Sequence, residues 1–170
     1  MVVLKQQNYV QPKHYPNIIF DLGGVILNID YHRTIKAFVA LGLESFEQAY
    51  SQMVQTPIFD QIERGEIEPG QFREAIRELL GKNVTDQQID QAWNAMLLDL
   101  PSERLSILEK LAAEKRLALL SNTNVIHVNA FEAEMQREHN IPNLKQYFEK
   151  TFYSCDVGMR KPETRIFHMV

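Results

Sequence analysis

Hydrophobic and polar positions alternate along this chain in two distinct rhythms. Asn17-Ile18-Ile19-Phe20-Asp21-Leu22 is a short apolar run closed by an aspartate and followed at once by Gly23 and Gly24. A continuous run of this length predicts a strand buried on both faces, as in a parallel sheet, and the glycine pair predicts a turn. Leu117-Ala118-Leu119-Leu120 is a second run of the same kind, ending at Ser121-Asn122-Thr123-Asn124, and Thr151-Phe152-Tyr153-Ser154 is a third.

Between the first two strands the rhythm becomes helical. Ile35, Phe38 and Val39 share one face, with Gly42 as terminator; Phe46, Ala49, Tyr50, Met53 and Val54 follow the i, i+3, i+4, i+7, i+8 pattern. Phe72, Ile76, Leu79 and Leu80 form a third face, and Ile89, Ala92, Trp93, Met96 and Leu97 a fourth. The fourth helix opens with Thr85-x-x-Gln88, a capping box. These amphipathic segments predict a small helical bundle. Ser102 is placed to cap a further helix with Leu105, Leu108 and Leu111 as its stripe, a helix is predicted over 125–138, and 156–162 reads as a loop. Pro162 suits the first turn of a final helix.

Outside the bundle the order is βαβαβ, which predicts an α/β protein: a Rossmann-like, doubly wound parallel sheet. We divide the chain into a core of residues 16–29 and 99–170 and an inserted helical bundle of residues 30–98.

The net charge of −4 carries no block of like sign, which disfavours nucleic acid or an anionic membrane as partner. Cys155 is the single cysteine, so no intrachain disulfide can form, which suits a reducing compartment. We read it as a packed strand-end residue rather than a reactive thiol. The polar first 16 residues lack a signal-peptide pattern and no apolar stretch is long enough to span a bilayer, so the expected location is the cytoplasm.

In doubly wound sheets ligands bind beyond the carboxyl ends of the strands. Asp21 closes the first strand, Ser121 the second, and Lys161 follows the third. Each residue alone has an ordinary explanation as a turn, a cap or a solvated charge. Together, a carboxylate, a hydroxyl and an ammonium suit phosphoryl transfer. Asp21 can attack phosphorus to form an acyl-phosphate. A Mg²⁺ ion would remove the repulsion between carboxylate and phosphate, with Asp21 and the Gly23 carbonyl as oxygen ligands. Lys161 offsets charge on the equatorial oxygens. Ser121 and the backbone N–H of Asn122 can hold a phosphate oxygen, and Gly23 and Gly24 let the backbone come close.

Phe20-Asp21-Leu22-Gly23-Gly24-Val25 resembles motif I of the haloacid dehalogenase (HAD) superfamily. Leu120-Ser121-Asn122-Thr123-Asn124 resembles its motif II, and Gly158-Met159-Arg160-Lys161-Pro162-Glu163 its motif III lysine region. The helical stretch is similar to the type-1 cap of that superfamily. The resemblance covers about residues 16–170 and implies a Mg²⁺-dependent phosphoric monoester hydrolase acting on a small-molecule phosphate ester. With Glu63-Arg64-Gly65-Glu66-Ile67, the wording of motifs II and III resembles the bacterial alpha-D-glucose-1-phosphate phosphatase branch, itself similar to the N-terminal phosphatase domain of soluble epoxide hydrolases.

Two departures accompany the resemblance. Most such phosphatases carry an acid/base aspartate two residues after the nucleophile, where this chain has Gly23. An anomeric oxygen needs less acid assistance than an ordinary alkoxide, so a sugar 1-phosphate such as hexose 1-phosphate is the expected ester. The superfamily also places an acidic pair, motif IV, further along. Nine residues follow Lys161, and Glu163 among them is expected to cap a helix. A chain stopping at Val170 is therefore expected to lack the C-terminal part of the core, to leave the first strand as an exposed edge, to bind Mg²⁺ weakly and to turn over little.

Alternatives are a 2-haloacid dehalogenase, with Arg33 as carboxylate ligand, and a non-catalytic HAD-like binding protein. Among other residues, Asp30, His32 and Arg33 fit a hinge into the cap, His127 is a candidate pocket residue, Asp156 a candidate orienter of the Lys161 loop, Glu63 a candidate sugar contact, and Trp93 cap core.

Overall fold

The structure, a computed structural model, describes residues 15–42 and 57–170. In chain order its elements are β1 (Asn17–Phe20), α1 (Tyr31–Leu41), α2 (Pro57–Glu63), α3 (Pro69–Leu80), α4 (Asp86–Asn94) and α5 (Ser102–Ala112). Then follow β2 (Arg116–Ser121), α6 (Val125–His139), a 3₁₀ turn at Leu144–Gln146, β3 (Lys150–Tyr153), α7 (Ser154–Val157) and α8 (Thr164–Phe167). The segment carrying Phe46, Ala49, Tyr50, Met53 and Val54 lies outside the described residues.

The strands form a parallel sheet in the order β1-β2-β3, with Ile19 opposite Ala118 and Ser121 opposite Tyr153. Parallel neighbours need long crossovers, which the helical layer with α5, and then α6, supply. Alternate residues of β2 face opposite sides. Leu117 and Leu119 pack with Leu105, Leu108, Phe131 and Met135 of α5 and α6. Leu120 packs with Phe152 and Ile166, so the segment after β3 covers the second face.

β1 departs from the expectation of a strand buried on both faces. It pairs with β2 alone among the described residues, and Ile19, on the face away from α5 and α6, is 54% exposed. Ile18 and Phe20 pack against the main core, with Phe20 edge-on to Phe148.

The helices between β1 and α5 share a separate apolar cluster of Phe38, Phe59, Ile62, Phe72, Ile76, Ile89, Trp93 and Met96. Trp93 is its hub, with the rings of Phe59, Phe72 and Phe38 at 5.3, 5.5 and 6.5 Å. The Thr85–Gln88 capping box is present, and a second, Glu68 with Gln71, opens α3. Gly42 ends α1 in the left-handed conformation. Two predicted core positions turn outward: Val39 and Leu79 are both exposed, because Thr34 and Phe38 on α1, and Phe72, Ile76 and Leu80 on α3, form i, i+4 lines that already fill the interface. Thr34 is fully buried, its hydroxyl donating to the Trp93 carbonyl and accepting from the Met96 N–H.

The two chain crossings between the sheet and this helical layer run side by side. Asn28 N–H donates to the Asp99 carbonyl, Leu98 N–H to the Asn28 carbonyl and Asp30 N–H to the Met96 carbonyl, with Ile29 and Leu97 forming an antiparallel bridge.

Several boundaries are corrected. Ser102 is the first residue of α5 rather than its cap; Pro101 holds the extended N-cap position, which its fixed φ suits. Ser154 and Asp156 belong to α7, because the chain turns helical directly after Tyr153. Pro162 precedes the last helix, which begins at Thr164 with Glu163 at its N-cap. No helix among the described residues is long and apolar enough to cross a membrane.

Candidate active site

Asp21 stands one residue past the end of β1, and Ser121 is the last residue of the neighbouring β2, so the parallel register brings both to one rim of the sheet. Lys161 returns to the same rim from the loop beyond β3. Its Nζ lies 2.6 Å from Asp21 Oδ2 and donates to the Leu120 carbonyl at 3.2 Å. The Leu22 N–H donates to Asp21 Oδ1 at 2.8 Å. Both carboxylate oxygens are thus held, while the side chain remains 45% exposed to the cleft.

The chain after Asp21 wraps tightly around one carbonyl. The N–H groups of Val25, Ile26 and Leu27 all donate to Leu22 O, and Gly24 N–H donates to Leu27 O. Gly24 has φ +75°, and nothing lies within 4 Å of where a side chain would begin, so it leaves open space there. A Cβ on Gly23 would meet Ile29 Cδ1 at 3.0 Å.

Asn122 has a role that sequence reasoning missed. Its Nδ2 donates to the Lys161 carbonyl at 2.9 Å, while the Lys161 N–H donates to its Oδ1 at 2.8 Å. The side chain clamps the lysine backbone. Ser121 is 3% exposed, its hydroxyl making only a long contact to the Asn122 carbonyl at 3.3 Å. One step deeper, the buried Ser154 hydroxyl accepts from Thr123 N–H and donates to Thr123 O, both at 2.9 Å, pinning the segment after β2 to α7. Nothing in a single sequence distinguishes such a buried serine from a surface one.

Across the cleft, Asp60 and Glu63 of α2, with Arg64 just after it, face the lysine loop. Arg160 Nη1 donates to Asp60 Oδ1 at 2.8 Å, and its Nη2 lies 3.0 Å from Glu63 Oε2. Arg64 bridges Asp60 at 2.6 Å and Glu163 at 2.5 Å. Burial pushes the Glu63 carboxyl up, against the opposing pull of Arg160. Burial also acts to raise Asp60, but hydrogen bonds from Arg64 and Arg160 outweigh it and hold that carboxyl below the usual range. The Arg160 N–H, Arg64 and Arg165 hold Glu163 low as well. The Tyr31 hydroxyl is raised by burial and by the negative charges of Glu63 and Asp21. The i, i+3, i+4 spacing of Asp60, Glu63 and Arg64 was the legible signal for this face; its target was not.

Other expectations are corrected. His127 is buried rather than pocket-facing: it stacks on Trp93 at 4.8 Å, its Nδ1 lies 2.7 Å from Asn94 Oδ1, and burial lowers its pKa to about 3. Asp156 does not orient Lys161; it pairs with the Cys155 thiol, and Asn122 holds the lysine instead. Cys155 sits in the first turn of α7 rather than at a strand end, and burial pushes its thiol up to about 12, so it is a thiol and not a nucleophile. Glu163 occupies the N-cap of α8, but its carboxylate turns back to the Arg160 N–H and to Arg64. Asp30 caps α1 by accepting from the His32 N–H, and Arg33 makes a loose ion pair with it at 3.8 Å. Among the described residues, no three His, Cys, Asp or Glu side chains gather as a metal site.

No family model matches the chain. A D-ribitol-5-phosphate phosphatase of Bacteroides thetaiotaomicron is 32% identical over 152 residues, covering 89% of this chain and 73% of the relative. A solved HAD family enzyme of the same organism superposes with a TM-score of 0.84 at 40% identity, over 91% of this chain and 76% of that one. The same enzyme solved with magnesium and inorganic phosphate superposes at 0.78, also at 40% identity, over 91% and 76% of the two chains. A HAD-like family hydrolase of Porphyromonas gingivalis gives 0.79 at 30% identity, over 91% and 74%. The chain belongs to the HAD family of enzymes, among its phosphoric monoester hydrolases.

Proposed function

We propose that this protein hydrolyses small phosphomonoesters of the sugar- and sugar-alcohol-phosphate class, hexose 1-phosphate among them, through an aspartyl-phosphate on Asp21. The observation that carries this reading is the 2.6 Å approach of Lys161 Nζ to Asp21 Oδ2 at the sheet rim where Ser121 ends β2. We take residues 16–29 and 99–170 as the core domain and 30–98 as its cap. The cytoplasm is the compartment we propose.

Asp21 attacks phosphorus, forming one P–O bond as the ester P–O bond breaks and the departing oxygen takes up a proton. Water then attacks the acyl-phosphate, releasing inorganic phosphate and restoring the carboxylate. Lys161 neutralises charge spread over the equatorial oxygens. Ser121 and the Asn122 N–H hold the phosphate, and Gly24, without a side chain, leaves room for it. Gly23 supplies no side-chain acid, so the leaving oxygen is protonated from solvent, which favours esters whose alcohol leaves readily.

Hard oxygen donors at this rim fit Mg²⁺, which is commonly held by one or two carboxylates completed by substrate phosphate and water. Asp21 and the Gly23 carbonyl would hold it here. When bound, it supplies the charge neutralisation that lets carboxylate and phosphate approach. The complex of the related enzyme with magnesium and inorganic phosphate supports Mg²⁺ as the cofactor.

The test is phosphate release from a panel of hexose 1-phosphates and pentitol 5-phosphates, with and without Mg²⁺, by wild type and Asp21→Asn. Release that requires the metal and falls by about a thousandfold or more in the variant is expected. Equal inertness of wild type and variant in the full-length protein would favour a binding role. Metal-free chloride release from 2-chloropropionate would favour a dehalogenase. A pentitol phosphate turned over faster than any hexose 1-phosphate would move the substrate to the open-chain class named for the Bacteroides thetaiotaomicron relative.

A further inference from the structure

Lys161 is connected to the cap through its immediate neighbour. Arg160 reaches Asp60 at 2.8 Å and Glu63 at 3.0 Å on α2, while Arg64 of the same segment reaches back to Glu163 at 2.5 Å. Two arginine–carboxylate links therefore cross the cleft in opposite directions, one on each side of Lys161. All of these side chains are between 20% and 40% exposed, so the links are shielded from bulk water more than ordinary surface pairs. The backbones also meet directly: a Cβ on Gly65 would lie 2.2 Å from the Cys155 carbonyl.

We propose that Arg160 is a positioning residue that couples the cap to the catalytic lysine, with Asp60 and Glu63 as its receivers, so that Lys161 is seated beside Asp21 only while α2 is docked. This rests on the phosphatase reading above and extends it to how the site is assembled. On the core side the lysine backbone is clamped by Asn122; on the cap side its loop is tied through Arg160 to Asp60 and Glu63 and through Glu163 to Arg64. The joint is incompletely satisfied, since Arg160 Nε is buried without a hydrogen-bond partner, while Glu63 Oε2 is held by the Arg160 ion pair alone. Unsatisfied buried groups weaken the docked form, and a joint of this kind can open and close during a catalytic cycle.

The test compares Arg160→Ala, Arg160→Lys, Asp60→Asn with Glu63→Gln, and the combined variant, in the full-length protein. Misplacing Lys161 acts on the transition state more than on substrate capture. We expect kcat to fall about tenfold or more in Arg160→Ala with KM changed far less, partial recovery in Arg160→Lys, and no further loss when the carboxylate changes are added. Hydrogen exchange supplies a readout independent of turnover: both 57–65 and 154–163 are expected to exchange faster in Arg160→Ala. If wild type and Asp21→Asn are equally inactive, the phosphatase reading fails and the exchange result still decides the coupling. A kcat within about twofold of wild type in Arg160→Ala, additive losses, or faster exchange confined to 154–163 overturns the proposal.

Discussion

Asn122 holds Lys161 by both ends of its amide: Nδ2 donates to the lysine carbonyl at 2.9 Å and Oδ1 accepts the lysine N–H at 2.8 Å. This pairing replaces the strand-to-strand hydrogen bonds that end with the Ser121–Tyr153 register, and it carries sheet-like order into the loop from which the ammonium extends. Asn122→Ala removes both bonds at once. We expect kcat to drop by about 10- to 100-fold through misplacement of Nζ. Steady-state kinetics will show it, with circular dichroism unchanged, and a variant within twofold of wild type would count against the clamp.

Gly65 is a close backbone contact between cap and core. It has φ +65°, and an added Cβ would stand 2.2 Å from the Cys155 carbonyl, a backbone atom that cannot swing aside. Gly65→Ala combines a left-handed non-glycine with an overpacked contact, each costing about 1–3 kcal/mol. A lower melting temperature is expected, together with reduced turnover from an undocked cap. A melting temperature equal to wild type would show that the segment relocates freely.

His127 provides a pH signature. Its folded pKa is lowered to about 3 by burial, below its ordinary 6.5. The folded state therefore binds fewer protons than the unfolded state between these values. The contribution is fully present above pH 6.5 and is lost progressively as pH falls towards 3, with a limiting slope of about 1.4 kcal/mol per pH unit. Urea titrations of wild type and His127→Phe, which keeps an aromatic ring against Trp93, are expected to converge over this range as the wild type loses stability faster. Parallel curves would mean that the ring is protonated in the fold.

Cys155 behaves in the opposite direction. Its thiol is raised by burial from 9.0 to about 12. Above pH 9.0 the unfolded thiol ionises while the folded one does not, so its contribution to stability falls as pH rises. Alkylation by iodoacetamide at pH 8 is expected to be far slower in the native protein than in urea. Comparable rates would place the sulfur in solvent.

Much of the fold was legible because its signals are local. The run ending at Asp21, the run ending at Ser121 and the helical stripes of Phe72-Ile76-Leu80 and Ile89-Trp93 depend on which residues are apolar and at what period. Capping is equally local, as Thr85 with Gln88 shows. Val39 and Leu79 were misread because the period tells which residues share a face, not how wide the covered stripe is. Ser102 was misread because an extended proline can hold a cap position without a side-chain bond.

The sequence by itself determined the order of elements, the parallel sheet and the residue types at the strand ends, because hydrophobic periodicity and glycine placement act within a few residues. Only the tertiary structure decided what those residues do to one another. The Asn122 side chain turning to Lys161 rather than to a ligand, the burial of His127 against Trp93, and the charges of Asp60 and Glu63 meeting Arg160 all join residues between 33 and 100 positions apart, where the pattern along the chain carries no distance information. These pairings follow from packing and from the need to pair charges as the cleft closes, and packing is a property of the whole fold.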